Sequence, residues 1–228
     1  MKRWQAQALY WPTLAYNYLL GRVFKFRNWW DLIDKQVILG ARPFRRDARR
    51  LRELGVTGVV NMCEEYFGPM REYKRLEIEQ LHLPTIDFTH PLEEHVEAGA
   101  AFIQRHVSNG GIVYVHCKAG RARSATIVLW WLVRYRHMTP TEAQQHLVKY
   151  RDHINPKVYL RPVIQTLYAN WLAQQGSPDP TRQAQQAVQK TASLPSDALP
   201  SDALPSDSLP SDSPSSGSPS SGSPKPLS

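Results

Sequence analysis

Nine consecutive residues, His116-Cys117-Lys118-Ala119-Gly120-Arg121-Ala122-Arg123-Ser124, constrain this chain more than any other feature. They set a thiol, a glycine turn and three cations between two apolar runs. Ile112-Val113-Tyr114-Val115 has the β-branched and aromatic content of a buried strand, and Ser124–Val133 has the apolar density of a buried helix. A strand, a tight loop and a helix N-terminus in that order form a cradle for an anion, because the first backbone N–H groups of a helix have no partner within it. Gly120 lets the loop turn and come close to a ligand without a Cβ in the way.

The residue types predict what such a cradle can do. A thiol among backbone amides and cations ionises readily, with cysteine pKa values falling from about 8.5 to roughly 3.5–7.5 in such settings. Cys117 is therefore the candidate nucleophile. Arg123 returns one helical turn into the loop, where its planar fork can hold two phosphate oxygens. Ser124 can donate to the sulfur as it departs, and His116 can brace the loop from behind. Lys118 and Arg121 add positive charge around the site, and Ala119 and Ala122 complete the loop. Cys63, which ends the apolar run Val59-Val60-Asn61-Met62-Cys63, reads as a packed core thiol rather than a redox partner. Two cysteines do not make a disulfide framework. The eight histidines are dispersed with no zinc-like spacing, so neither a metal nor a cofactor is expected.

Expelling an alkoxide requires a proton donor. Asp87, in Leu83-Pro84-Thr85-Ile86-Asp87-Phe88-Thr89-His90-Pro91, is the first candidate, with a turn cap ahead of Pro91 as its purely structural alternative. His90 is the rival acid. Glu64 and Glu65 follow a predicted strand and have two readings, solvated loop charges or carboxylates that orient Arg42 or Arg123.

The chain resembles the Cys-based dual-specificity phosphatases, in particular the mitochondrial tyrosine-phosphatase-like subgroup that dephosphorylates phosphatidylglycerophosphate. Its loop matches that subgroup except at Ala122, where the subgroup has serine. Glu64-Glu65-Tyr66, Asp87-Phe88-Thr89, Leu39-Gly40-Ala41-Arg42-Pro43 and Tyr10-Trp11-Pro12-Thr13-Leu14-Ala15-Tyr16 resemble further signatures of the same subgroup, and the resemblance runs over about residues 10–175. It implies Cys117 as nucleophile, Arg123 as phosphate binder and Asp87 as general acid. It also implies a phosphocysteine intermediate and a phosphorylated lipid as substrate, with a phosphoprotein as the alternative. A silent phosphate-binding module is a third class, and intact Cys117, Arg123 and Asp87 speak against it.

Charge and composition divide the chain into three parts. Residues 1–175 carry a net +10 and the remainder −2, which favours anionic partners. No nucleic-acid module accompanies the charge, so nucleic acid is not an expected partner. In residues 1–30, the eighteen positions from Trp4 to Gly21 hold no charge, while Trp4, Tyr10, Trp11, Tyr16 and Tyr18 are flanked by Lys2, Arg3, Arg22, Lys25 and Arg27. That pattern suits an anionic membrane surface met through residues 4–30; an aromatic segment folded back on the core is the other reading. Gln5, Gln7, Pro12 and Asn17 make a membrane span unsuitable. Residues 31–175 read as the phosphatase domain. Residues 176–228, with repeats such as Leu194-Pro-Ser-Asp-Ala, are expected to be disordered. With a thiolate to keep reduced, the expected location is peripheral, on the reducing cytoplasmic or mitochondrial-matrix side of a membrane.

Strand-like runs at Val37–Leu39, Val56–Met62, Ile78–Leu83 and Ile112–His116 alternate with helical stretches. The latter fall at Asp47–Leu54, Glu93–Val107, Ser124–Arg136, Thr141–Tyr150 and Val158–Ala173, the first packed through Ala48, Leu51 and Leu54. Thr139-Pro140-Thr141-Glu142 is a capping box, and Trp130-Trp131 reads as core. The predicted fold is α/β, a Cys-based phosphatase fold with a short, mostly parallel sheet flanked by helices on both faces.

Overall fold

Runs that are apolar at successive positions, without alternation, fit strands covered on both faces. In the computed structural model, which describes residues 11–176 apart from Asn17 and Lys25, these runs form the middle of one sheet. Its strands are β1 (Trp30–Asp34), β2 (Val37–Gly40), β3 (Val56–Cys63), β4 (Glu79–Thr85) and β5 (Ile112–His116), in the order β1-β2-β5-β3-β4. β2, β5, β3 and β4 are mutually parallel, and β1 is the antiparallel edge. Seven of the eight residues of β3 are buried. The candidate tail, and Trp4 and Tyr10 of the N-terminal segment, lie outside the described residues.

Helices cover both faces. They are α1 (Arg45–Glu53), α2 (Met70–Arg75), α3 (Glu93–Ser108), α4 (Arg123–Arg136), α5 (Pro140–Tyr150) and α6 (Pro162–Gly176). On one face α3, α4, α5 and α6 pack over a core that includes Val60, Val115, Ile127, Leu129, Trp130, Trp131 and Ile164. On the other, Ile38, Val59 and Tyr114 pack on Ala48 and Leu51 of α1 and on Tyr73 of α2. Both tryptophans are core, and truncating either to alanine costs about 3–5 kcal/mol at such sites. The Thr139 box forms as its residues dictate: the Thr139 hydroxyl accepts from the Glu142 N–H at 3.3 Å, and Glu142 accepts from the Thr139 N–H at 2.8 Å.

Several expectations are corrected. β1 was not foreseen: Ile33 is its one buried residue, and Asp31 and Asp34 give it the look of a loop. Its start at Trp30 shifts the boundary drawn after residue 30, and Leu14 and Trp29 are buried against the domain. α2 is a short charged helix that buries Tyr73 and leaves no periodic signal. α1 begins two residues early because Asp47 turns back to accept the Phe44 N–H at 2.9 Å, and Leu54, past its end, is 42% exposed rather than packed. Pro162 sets the start of α6, so Val158 is buried from the preceding loop instead. Among the described residues no helix is long and apolar enough to cross a membrane.

The central strand is β5, flanked by β2 and β3. Residues at the carboxyl ends of β2, β3, β4 and β5 therefore converge at one edge of the sheet, around the turn from β5 into α4. Parallel α/β sheets present their ligand sites at this edge.

Candidate active site

The nine-residue loop closes between β5 and α4 as its sequence dictates. Gly120 has φ +66°, and a Cβ on it would lie 2.4 Å from the Gly40 carbonyl, so the backbone conformation and the contact with β2 both demand glycine. The N-cap of α4 is Ala122, which supplies no side-chain oxygen. The N–H groups of Arg121 and Ser124 instead turn toward the sulfur of Cys117, and the Ser124 hydroxyl donates to it at 3.3 Å.

Cys117 is 4% exposed, and burial by itself would raise its pKa. The Arg123 guanidinium, the Ser124 hydroxyl and the backbone N–H groups outweigh burial and lower it from the ordinary 9.0 to about 7. A large share of the thiol is therefore thiolate at neutral pH. Cys63 has the opposite fate: burial pushes its thiol well above the ordinary range. His116 packs between the rings of Tyr66 and Tyr114, and burial pushes it down to about 3, so it supports the loop as a neutral ring.

Arg123 is buried and held from several sides. Glu65 accepts both arms of its fork, at 3.0 and 3.2 Å, and the carbonyl of Thr85 accepts from it at 2.7 Å. Asp87 lies 3.0 Å from the same guanidinium and pairs with Lys118 through its other oxygen. Of the two readings left open for the paired glutamates, Glu65 takes the orienting one, on Arg123. Glu64 is half-buried next to it. Arg42 lies with its guanidinium 4.2 Å over the Tyr66 ring, whose hydroxyl donates to the Pro43 carbonyl at 2.5 Å.

Lys118 departs from expectation. Instead of adding open positive charge, its buried ammonium holds Asp87 and donates to the Thr13 hydroxyl at 2.7 Å. Arg121 is exposed and donates to the His153 carbonyl at 2.7 Å. A cleft of about 600 Å³ opens over Cys117, and its walls include Thr13, Tyr16, Asp87, Phe88, His90 and Arg161. Both candidate acids thus face it. Burial and the nearby Arg161 lower the pKa of His90, which favours its neutral ring, while Asp87 sits against the Arg123 guanidinium.

Two arginines escaped the sequence reading. Arg151, just past α5, is 2% exposed and ties the outside of the loop, donating to the carbonyls of Gly120 at 2.9 Å and Ala119 at 3.1 Å. It also pairs with Asp31 of β1 at 2.5 Å. Drawing these carbonyls outward leaves the N–H groups of the loop to face inward. Arg161 caps α6 and enters the cleft from the far wall. Nothing in the local sequence marks either one, because their partners lie far back in the chain: Ala119 and Gly120 for Arg151, and Thr126 for Arg161.

A thiolate, a fixed guanidinium and a carboxylic side chain around one oxyanion-sized space can cleave a phosphomonoester, and comparison with known proteins agrees. Residues 37–167 match the family model for the dual specificity phosphatase catalytic domain. The chain belongs to this family. This dual specificity phosphatase is 41% identical over 159 residues to the rat protein named phosphatidylglycerophosphatase and protein-tyrosine phosphatase 1, covering 66% of this chain and 82% of the relative. It is 39% identical over 157 residues to the Arabidopsis thaliana protein named phosphatidylglycerophosphate phosphatase PTPMT2, covering 68% of this chain and 67% of the relative. Among solved structures, PTPMT1 superposes with a TM-score of 0.56 at 35% identity, over 64% of this chain and 99% of that one. PTPMT1 in complex with PI(5)P also gives a TM-score of 0.56, at 34% identity over 63% of this chain and 99% of that one. The α/β fold and the Cys-based phosphatase class follow for this chain.

Proposed function

We propose that this phosphatase removes the phosphomonoester of a membrane phospholipid, phosphatidylglycerophosphate being the substrate of first choice, through a phosphocysteine intermediate. The Cys117 thiolate attacks phosphorus, the bond from phosphorus to the glycerol oxygen breaks, and Asp87 donates its proton to the leaving alkoxide. Water then attacks the phosphocysteine, Asp87 takes its proton back, and the Ser124 hydroxyl receives the departing thiolate. Throughout, Arg123 and the loop N–H groups bind the phosphoryl oxygens.

The observation that carries this reading is the similarity to relatives named for phosphatidylglycerophosphate, at about 40% identity over most of the described domain. The shape of the surface supports it. Trp11, Tyr16, Tyr18, Leu19, Val23, Phe24 and Phe26 are exposed in the segment whose Thr13 and Tyr16 wall the cleft, and Arg22 and Arg27 lie among them. Aromatic and basic side chains together suit an anionic lipid surface, so the enzyme works as a peripheral protein at that surface. We propose further that it works on a reducing side of the membrane, cytoplasmic or mitochondrial-matrix; that Cys63 and Cys117 are both free thiols, the second needed as thiolate, supports this reading.

The test is phosphate release from phosphatidylglycerophosphate in anionic vesicles and from a phosphotyrosine peptide, by the wild type, Cys117→Ser and Asp87→Ala. The lipid should be preferred, Cys117→Ser should be inactive, and Asp87→Ala should lose about 10²–10⁴-fold in kcat. Preference for the peptide would replace the substrate, and turnover by Cys117→Ser would remove the mechanism.

A further inference from the structure

Burying a guanidinium is unfavourable unless an anion accompanies it. Among the described residues three arginines are buried, Arg123, Arg151 and Arg161. Arg123 has Glu65 and Asp87, and Arg151 has Asp31. Arg161, 8% exposed, has no carboxylate among the described residues. Among the described residues its guanidinium makes one hydrogen bond, to a neutral group, from Nη1 to the Thr126 hydroxyl at 2.8 Å. A guanidinium has five N–H donors, so most of this fork is uncommitted, and the residue lines the cleft over Cys117.

The fork is also held in place. The Arg161 carbonyl accepts from the N–H groups of Ile164 and Gln165 at 2.9 and 3.1 Å, which fixes its backbone to the first turn of α6. Thr126, which accepts from the fork, donates its own proton to the Ala122 carbonyl at 2.9 Å. The guanidinium is thus locked to the phosphate loop through one hydroxyl. Burial and Arg123 weigh against its positive charge, and Cys117 favours it. Such a cation lacks a counterion rather than room. The phosphoryl group on Cys117 is already served by Arg123 and the loop, so a partner for Arg161 has to come from another part of the substrate.

We infer that Arg161 is the receptor for a second anionic group of the substrate, a phosphodiester or phosphate separated by a short linker from the phosphomonoester that Cys117 attacks. This deepens the phospholipid reading and rests on it, since phosphatidylglycerophosphate carries both groups across one glycerol. It makes Arg161 a specificity residue: it separates bis-anionic headgroups from phosphomonoesters that bear no second charge, such as phosphatidic acid or aryl phosphates. Lys118, committed to Asp87 and Thr13, is placed for catalysis and not for this second group.

The test compares kcat/KM for phosphatidylglycerophosphate and for phosphatidic acid in the same mixed micelles, for the wild type, Arg161→Gln and Arg161→Lys. Arg161→Gln should lose about 10- to 100-fold more on the first substrate than on the second, the effect of one charged hydrogen-bonded contact. Arg161→Lys, with the charge but not the fork, should fall between. Equal losses on both substrates overturn the inference. Competition against aryl phosphate turnover gives a readout without lipid: the wild type should bind glycerol bisphosphate more tightly than inorganic phosphate, and Arg161→Gln should lose that advantage. A wild type without the advantage, or a variant that keeps it, also overturns the inference. If the advantage is present and depends on Arg161 but phosphatidylglycerophosphate is not hydrolysed, the choice of lipid fails and the second anion site stands.

Discussion

Cys117 and Cys63 are both buried free thiols, and their neighbours drive them apart. For Cys117 the folded pKa of about 7 lies below the ordinary 9.0, so folding favours its thiolate. Stability from this group is fully present above pH 9 and is lost as pH falls through about 7, and activity should rise along the same limb. Iodoacetamide should therefore alkylate Cys117 with a midpoint near pH 7, while Cys63 stays unlabelled at pH 8; peptide mass spectrometry reads both sites. Ser124→Ala removes one of the hydrogen bonds that lower the pKa, so its midpoint should move upward, and an unmoved midpoint would deny the Ser124 contact its role. His116, pushed down to about 3, should contribute no inflection between pH 5 and 8. At this scale the sequence was legible where the site is contiguous: Cys117, Arg123 and Ser124 sit within eight residues, and the geometry of a loop entering a helix follows from their spacing. Arg151 and Arg161 were illegible because their roles exist only after α5 and α6 pack beside that loop.

At the scale of elements, the loop depends on a strand that its own sequence does not reveal. Arg151 joins the carbonyls of Ala119 and Gly120 to Asp31 of β1, so the antiparallel edge strand and the catalytic turn share one guanidinium. Arg151→Met leaves the Asp31 carboxylate and three carbonyls, those of Ala119, Gly120 and Asn28, unanswered. It should cost about 3–5 kcal/mol, read as a lower urea midpoint, and should reduce kcat more than KM because loop N–H groups lose their alignment. A variant of normal stability and normal kcat would show that the loop holds its shape unaided. The parallel strands could be read from the sequence since burial on both faces writes an unbroken apolar run, as in Val59-Val60. β1 could not, because an edge strand with one buried side chain and two aspartates satisfies its backbone without an apolar signature. Leu54 shows the same limit in reverse: it kept the spacing of a core position, and the helix ended before using it.

At the scale of the whole molecule, seven of the seventeen large apolar side chains that are exposed among the described residues fall within residues 11–26, Val23, Phe24 and Phe26 among them. Replacing these three by serine removes surface without touching the packed positions Leu14 and Trp29. Co-sedimentation with anionic vesicles should weaken, and turnover of vesicle-borne lipid should fall several-fold. Aryl phosphate turnover should change by less than about twofold, and added salt should weaken the wild type toward the variant. Equal vesicle binding by wild type and variant would reassign these side chains to another use. Thr13 belongs to the same segment, and its hydroxyl accepts from the lysine that grips Asp87. Asp87, the proposed proton donor, is thus moored at one end to Arg123 and at the other, through the Lys118 ammonium, to the helical turn of residues 11–16, in the segment proposed to meet lipid. A small tilt of that turn as it settles on a surface would slacken or tighten the mooring, and contact with the bilayer would be felt at the leaving-group oxygen.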